Sequence, residues 1–261
     1  YDRIFADSKE FIPRLRFEDA DAILRYFSQP YSEQVALINA LDDPKVRTVV
    51  VLKPRQIGIT TANCAHTFWA TYCASKPLRT IVAADHNKTT KSIFKKFCTY
   101  YNHLPKVLKD ANPFKMNQND KTLMSERTDA LIDHMTARGD THGRGWTYQR
   151  FVAEELAFWP HPEEVWAGIR STLHGGEDSK IIVISTPNGP GNFYHERVLA
   201  AQLAERTGDP STKFIFSRWS DHSTYRLQPP TGWEPTQEEF ELASQFGLDR
   251  DQIYWRHEMI Y

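Results

Sequence analysis

Apolar and polar positions alternate along this chain with two different repeats. Short β-branched or apolar runs predict buried strands, and longer stretches with apolar residues three or four positions apart predict helices. The predicted strands span Val46–Leu52, Arg79–Ala84, Arg150–Glu154, Lys180–Ser185 and Phe214–Ser217. The predicted helices span Phe17–Phe27, Ser32–Leu41, Thr60–Cys73 and Lys88–Tyr101, and three more open near Pro162, after Gly191 and at Thr236. A hairpin is predicted around Leu123–Met135.

The order of these elements indicates the fold class. Strands that alternate with helices form a mostly parallel sheet flanked by helices, and ligands bind such sheets at the carboxyl ends of the strands. The sequence therefore predicts an α/β fold in one domain. Within it we expect an N-terminal helical segment over residues 1–45 and the sheet-bearing core over residues 46–261.

Composition argues against several classes of protein. The 261 residues are 40% hydrophobic and 25% charged, which is typical of a globular enzyme. No apolar run approaches the ~18 residues of a membrane span, and the first residues do not form a signal peptide. With a net charge of −1, any nucleic-acid contact must come from a local patch or from several subunits together.

The cysteines and histidines give no sign of a disulfide framework or a zinc site. The three cysteines include no C-x-x-C pair, which favours a reducing compartment. His134, His142 and His161 lack the spacing of zinc ligands, and we expect all three in loops.

A candidate phosphate loop follows the first core strand. Compared with the pattern G-x-x-x-x-G-K-[ST], Gly58 and Thr60 are correctly spaced, whereas Lys53 and Ile59 replace the first glycine and the lysine. Gly58 still lets backbone N–H groups turn inward at a helix N-terminus, which favours anions. Lys53 or Arg55 can supply the missing cation, and Thr60 can bind Mg²⁺. The alternative is a strand-to-helix turn with two solvated cations.

Two acids, Glu154 and Glu155, end the strand that begins at Arg150. In nucleotide-hydrolysing α/β proteins an acid at a strand end holds Mg²⁺, and a neighbouring carboxylate polarises the attacking water. Glu154 fits the first role and Glu155 the second. The alternative is that both acids cap the next helix, where negative charge is favoured.

Arg144 lies between two glycines upstream of the acid pair. Such an arginine can reach a phosphate of this or a neighbouring subunit, where its charge stabilises the transition state. The alternative is an ordinary loop arginine.

A third segment carries a more specific signal. The strand ending at Ser185 continues as Ser-Thr-Pro-Asn-Gly-Pro-Gly-Asn-Phe-Tyr, residues 185–194. This string resembles the coupling motif of the large terminase subunit of tailed bacteriophages, the ATPase that pumps DNA into a procapsid. The segment Arg55–Thr61 is similar to that family's Arg-Gln-x-Gly-Lys-Thr-Thr loop, with Ile59 in place of the lysine. Some members carry a lysine at the front of the loop, where this chain has Lys53.

The resemblance extends to two further segments. Glu154–Pro160 resembles the family's acidic pair and the tail after it, and Arg144-Gly145 stands ten residues before Glu154, as in the family. Tyr31-Ser32-Glu33-Gln34 resembles the segment that recognises adenine. In some members the arginine at the position of Arg144 acts in trans on the neighbouring subunit's nucleotide.

The resemblance implies an ASCE/RecA-like P-loop NTPase with ATP and Mg²⁺ as cofactors. The implied nucleotide-binding residues are Tyr31, Gln34, Gln56, Ile57, Gly58, Ile59, Thr60 and Thr61. The implied metal ligands are Thr60 and Glu154, and the implied catalytic residues are Glu155, Arg144, Lys53 and Arg55. Ser185, Thr186 and Asn188 are implied to sense loss of the γ-phosphate.

The resemblance also implies partners and a place of action. Members move double-stranded DNA as a homo-oligomeric ring, expected to be a pentamer, on the portal protein of the procapsid, together with the small terminase subunit. They act in the host cytoplasm, transiently docked on the procapsid and without a membrane. Full-length members continue into a nuclease. Because this chain lacks an initial Met and ends near where that nuclease begins, we expect the isolated ATPase domain, with the C-terminal nuclease absent.

Two alternatives to a packaging motor remain open from the sequence. One is a helicase-like ATPase of the same broad class. The other, suggested by Ile59 at the lysine position, is a nucleotide- or DNA-binding module with little activity of its own.

Overall fold

The structure is a computed structural model that describes residues 6–19, 21–28, 30–138, 146–176 and 179–260. Contacts between residues divide the chain into two units, Tyr1–Phe216 and Ser217–Tyr261. None of the helices in the described part of the chain is both long enough and apolar enough to cross a membrane.

The first unit is built on an eight-stranded sheet among the described residues, in the order β10–β3–β9–β8–β4–β7–β6–β5. The strands are β3 (Thr48–Leu52), β4 (Arg79–Ala84), β5 (Phe114–Asn117), β6 (Thr122–Ser125), β7 (Leu131–Thr136), β8 (Arg150–Glu154), β9 (Lys180–Ser185) and β10 (Thr212–Phe216). The six strands from β10 to β7 are parallel, and β6 and β5 continue the sheet antiparallel. A separate antiparallel pair is formed by β1 (Arg16–Glu18) and β2 (Leu24–Tyr26).

Helices flank this sheet. Those of the first unit are α1 (Ser8–Phe11), α2 (Ser32–Asp42), α3 (Ile59–Tyr72), α4 (Asn87–Asn102), α5 (Lys106–Ala111), α6 (Pro162–Arg170) and α7 (Phe193–Arg206). One sheet face contributes Val50, Phe151 and Val183 to a buried cluster that includes α6 and α7. Alternate strand residues such as Val152 and Ile182 point to the opposite face and are equally buried. The predicted mostly parallel sheet flanked by helices is confirmed.

Strand register brings three loops together at one edge of the sheet. Leu52 of β3 pairs with Ser185 of β9, and Ile184 of β9 pairs with Glu154 of β8. Because these three neighbouring strands are parallel, their carboxyl ends lie side by side. The next residues along the chain, Lys53, Thr186 and Glu155, therefore meet at this edge.

The predicted helix Phe17–Phe27 is wrong, because this segment forms the β1–β2 hairpin. The Oδ1 atom of Asp19 accepts hydrogen bonds from the backbone N–H groups of Asp21 and Ile23, which stabilises a turn in competition with a helix. The rings of Phe17 and Phe27, 4.6 Å apart, then pack together from the two arms of the hairpin. The expected N-terminal helical segment 1–45 is consequently only partly helical, whereas the predicted hairpin around Leu123–Met135 is confirmed as β6 and β7.

The histidines expected in loops divide between different environments. His134 lies within β7 and is buried, so its prediction is wrong. His161 is exposed and immediately precedes α6, as expected, and His142 lies outside the described residues.

The second unit contains α8 (Gln237–Phe246) and α9 (Arg250–Ile260). The predicted capping box at Thr236 is confirmed: its side chain accepts from the N–H of Glu239, whose carboxylate accepts from the Thr236 N–H at 2.8 Å. The same Glu239 is buried and contacts His257 of α9 at 2.9 Å. This carboxylate therefore joins the two helices as well as capping one of them.

Candidate active site

A tight turn at Gly58 joins β3 to α3. Gly58 has a φ of +69°, a left-handed conformation that glycine adopts at little cost. A Cβ atom at this position would lie 2.3 Å from Nε2 of Gln34, so no larger residue fits without displacing that amide. No described side chain caps the start of α3. The first N–H groups of this helix, which have no partner within it, are thus available to an anion.

A cavity of about 510 Å³ lies beside this turn, a size typical of small-ligand sites. All eight residues predicted to bind nucleotide line it: Tyr31, Gln34, Gln56, Ile57, Gly58, Ile59, Thr60 and Thr61. The cavity wall also includes Lys53, Lys96 and residues of the β1–β2 hairpin. Sequence reasoning missed the hairpin and Lys96. The turn chemistry of Asp19 was a signal for the hairpin, but nothing local marks Lys96.

Gln34 is held against the phosphate loop by both ends of its amide. Its Oε1 accepts from the Tyr31 N–H at 3.0 Å, and its Nε2 donates to the Ile57 carbonyl at 3.1 Å. A primary amide has two hydrogens and two lone pairs, so one of each remains for a ligand. The half-exposed ring of Tyr31 lies on the same cavity wall.

The candidate cations of the loop lie in different environments. Lys53 is only 7% exposed, and its Nζ contacts Oε1 of Glu155 at 2.9 Å. Arg55 is exposed and does not line the cavity. Ile59, at the usual lysine position, is 1% exposed and supplies no charge.

Glu154 ends β8 in a buried position beside the start of α3. The Thr60 hydroxyl donates to its Oε2 at 2.9 Å, and its buried Oε1 has no hydrogen-bond partner among the described residues. Burial raises the pKa of Glu154 to about 7; the nearby charge of Glu155 adds to this rise, and Lys53 opposes it.

The pair Thr60 and Glu154 fits a magnesium ion. Hydroxyl and carboxylate oxygens are the donors Mg²⁺ prefers, and it is usually held by one or two such groups together with water and substrate phosphates. The orphaned carboxylate oxygen of Glu154 is a donor that a cation would satisfy. The described residues contain no group of three or more His, Cys, Asp or Glu side chains placed to hold a metal ion.

Glu155 links the loop lysine to the segment after β9. While Oε1 contacts Lys53, Oε2 accepts from both the N–H and the hydroxyl of Thr186, each at 3.2 Å. The Ser185 hydroxyl lies 3.4 Å from the same Oε2 and donates to the Thr186 carbonyl at 2.8 Å. Glu155 itself has a φ of +54°, a left-handed conformation that is rare outside glycine and frequent at functional sites.

Asn188 contacts the turn after the acid pair rather than the acids. Its Nδ2 donates to the carbonyl of Ala157 at 3.1 Å, in the 3₁₀ turn Leu156–Phe158. The structure thus brings together Lys53, Thr60, the two acids, Ser185 and Thr186, with Asn188 one turn away. Arg144 lies outside the described residues.

This fold and site define a P-loop NTPase. A glycine turn and a helix N-terminus follow one parallel strand, paired acids end a second, and the strand between them carries the polar segment Ser185–Asn188. The family model described as "Terminase large subunit, T4likevirus-type, N-terminal" matches residues 50–245, well over half of the chain. The chain belongs to this terminase family.

Solved structures show the same fold at low sequence identity. The large terminase ATPase domain of Thermus phage P74-26 is 18% identical with a TM-score of 0.57, over 72% of this chain and 80% of that one. The HK97 bacteriophage large terminase is 15% identical with a TM-score of 0.68, over 93% of this chain. A large terminase of a thermophilic bacteriophage in complex with ADP is 12% identical with a TM-score of 0.53, over 82% of this chain.

This chain spans about half the length of some of these relatives, 52% of the HK97 protein and 50% of the ADP complex. No curated protein sequence matches it.

Proposed function

We propose that this chain is the ATP-hydrolysing motor domain of a large terminase and drives double-stranded DNA into a procapsid. The observation that carries the proposal is the contact of Glu155 with both Lys53 and Thr186 beside the cavity. This contact joins a candidate catalytic acid to a loop cation on one side and to the coupling segment on the other. Family membership supports the same activity.

In the proposed mechanism the N–H groups around Gly58 and the start of α3 bind the phosphates of ATP, and Gln34 and Tyr31 bind its base. Thr60 and Glu154 would hold Mg²⁺, which when bound neutralises charge on the phosphates. Lys53 or Arg55 supplies a cation in place of the absent loop lysine.

Glu155 aligns the attacking water once Lys53 has moved from its carboxylate towards the phosphates. Because Thr186 is bonded to the same carboxylate, release of the γ-phosphate alters the position of the Ser185–Asn188 segment. Arg144, from this or an adjacent subunit, completes the site by stabilising transition-state charge.

The proposed setting follows the family. The motor works as a homo-oligomeric ring, proposed to be a pentamer, with the portal protein, the procapsid and the small terminase subunit as partners in the host cytoplasm. We assign residues 1–45 to adenine recognition and residues 46–261 to the ATPase core, and propose that the full-length protein also carries an endonuclease.

The test is Mg²⁺-dependent ATP hydrolysis across a range of protein concentrations, with Glu155→Gln beside the wild type. Loss of a general base costs roughly 10²–10⁴-fold in rate, so we expect Glu155→Gln to lose most turnover while still binding ATP. Glu164→Gln, an exposed acid in the first turn of α6, is the matched control and should retain wild-type turnover. Unchanged turnover in Glu155→Gln would refute the water-aligning role.

A second candidate function is a nucleotide-binding module without turnover, which the buried Ile59 at the lysine position favours. It predicts ATP binding by the wild type with no hydrolysis at any protein concentration or with any DNA added.

A further inference from the structure

The nucleotide cavity has a cation that does not come from the phosphate loop. Lys96 lines the cavity from α4, together with Thr60 and Thr61 of α3. It is half-buried, and among the described residues it makes no hydrogen bond or ion pair. Its ammonium group is therefore available to a ligand in this cavity.

The other charged residues of the cavity wall already have partners. Lys53 contacts Glu155 at 2.9 Å, and Glu18 accepts from Lys95 at 2.6 Å. Asp19 is paired with Arg25 and accepts two backbone N–H groups of its own turn.

The position of Lys96 is set by packing between α4 and α3. Tyr100, one turn further along α4, is fully buried and donates its hydroxyl to the Thr61 carbonyl at 2.9 Å. Residues four apart lie on the same helix face, so this bond directs Lys96 towards the first turn of α3. The charge of Lys96 also acts on Cys64 of α3. Burial and the charge of Glu154 raise the pKa of this thiol, and the charge of Lys96 partly opposes the rise.

The neighbouring lysine points elsewhere. Lys95 is 66% exposed and is held outside the cavity by Glu18. Consecutive helical residues lie about 100° apart around the axis, so the two side chains have different surroundings on the same helix. Loss of Lys95 would leave the Glu18 carboxylate of the cavity wall without its partner, so Lys95 is not a neutral control. The exposed Lys45, which does not line the cavity, serves as the control instead.

We propose that Lys96 binds the phosphate chain of ATP from α4 and supplies a positive charge that Ile59 cannot provide. The inference rests on the proposed nucleotide site and adds a residue to it. A lysine on a neighbouring helix reaches the phosphates from the cavity wall, so the loop can keep an apolar residue at the usual lysine position.

The test compares the Kd of ATP and of adenosine for the wild type, Lys96→Met and Lys45→Met, by isothermal titration calorimetry with Mg²⁺ present. A hydrogen bond to a charged group corresponds to roughly 10- to 100-fold in affinity, so we expect Lys96→Met to weaken ATP by that factor. Adenosine has no phosphate, and its Kd should change less than about twofold. Lys96→Arg should retain most of the ATP affinity, and Lys45→Met should behave as the wild type.

Two results would overturn the inference while leaving the proposed function intact. One is an unchanged ATP Kd in Lys96→Met. The other is an equal loss of ATP and adenosine binding, which would indicate a packing role for the lysine stem. Absence of nucleotide binding by the wild type itself would overturn the proposed function, and the inference with it. Thermal unfolding of each variant separates loss of binding from loss of fold.

Discussion

Lys53 has two roles that exclude one another. In the structure it is buried against Glu155, and in the proposed mechanism it moves to a phosphate. Removing one member of such a pair leaves the other charge poorly compensated. Each single substitution therefore lowers the free energy of unfolding by more than the contact itself contributes. The pair is therefore measured by a double-mutant cycle rather than by either single change.

We predict that Lys53→Met and Glu155→Gln are coupled in stability. Contacting residues in one network show coupling energies of roughly 0.5–3 kcal/mol, and this pair should lie in the upper part of that range because it is largely buried. The measurement is the free energy of unfolding of both single variants and the double variant, without nucleotide. The exposed pair Lys213 and Glu205, also 2.9 Å apart, is the control and should couple weakly. Strictly additive effects of the first two changes would contradict the prediction.

His134 makes stability depend on pH. Its ring makes T-shaped contacts with the rings of Phe94 and Phe97, at centroid distances of 5.3 and 5.2 Å. Its Nδ1 is 2.7 Å from the Lys121 carbonyl, so Nδ1 carries the proton of the neutral ring. Burial lowers its pKa from 6.5 to about 4. The unfolded chain therefore binds a proton first as the pH falls. The contribution of His134 to the free energy of unfolding is fully present above pH 6.5 and is lost as the pH falls towards 4.

We predict that His134→Asn flattens the fall in unfolding free energy between pH 6.5 and 4. An Asn amide can keep the bond to the Lys121 carbonyl without titrating. Between pH 6.5 and 4 the wild type should lose about 3 kcal/mol more unfolding free energy than His134→Asn. Denaturant unfolding at several pH values measures it, with the exposed His174→Asn as the control. Equal slopes in the wild type and His134→Asn would refute the assignment.

At the scale of elements, the strands carrying the site could be predicted because parallel strands bury both faces. Their apolar runs end abruptly in polar residues, and the sheet itself brings those ends to one edge. The segment before Ser32 could not be predicted in this way. The spacing of Phe17, Leu24 and Phe27 suits a helix locally, but the turn at Asp19 and the contact of Phe27 with Tyr100, 6.5 Å between rings, favour a hairpin. That hairpin forms a wall of the cavity, so its part in the site was missed as well.

Helix α4 is strongly basic on its exposed side. Its 16 residues include four lysines and no acid, and Lys88 and Lys91 are exposed. Lys88, Lys91 and Lys95 are spaced three and four apart, so they form one stripe along the helix. Since α4 also carries Lys96 in the cavity wall, one element reaches both the nucleotide site and a surface suited to DNA phosphates.

We predict that the double variant Lys88→Gln/Lys91→Gln weakens DNA binding without changing the Kd of ATP. Each phosphate contact contributes about 0.9 to the slope of log K against log salt. The slope should therefore fall by about 2 when both lysines are lost. Lys45→Gln/Lys213→Gln removes the same charge elsewhere and is the control. An unchanged slope in the α4 variant would place the DNA surface elsewhere.

At the scale of the whole molecule, the sequence predicts the sheet but not how many subunits form one active site. The loop, both acids and the coupling segment converge within this chain. The role of Arg144, by contrast, depends on whether it acts within its own subunit or across a subunit boundary. Neither strand order nor register bears on that choice, because both describe a single chain.

A mixing experiment separates these two possibilities. If Arg144 acts in trans, Arg144→Ala subunits and Glu155→Gln subunits are each inactive alone, but they complement one another. The first supplies an intact acid pair and the second an intact arginine, so on random mixing about one interface in four has a native site. We therefore predict that the equimolar mixture hydrolyses ATP well above the sum of the separate variants, under conditions in which the wild type is active. The control is Glu155→Gln alone at the total protein concentration of the mixture. Activity equal to the sum of the two variants would mean that each site takes its arginine from its own chain, because no subunit in the mixture carries both residues.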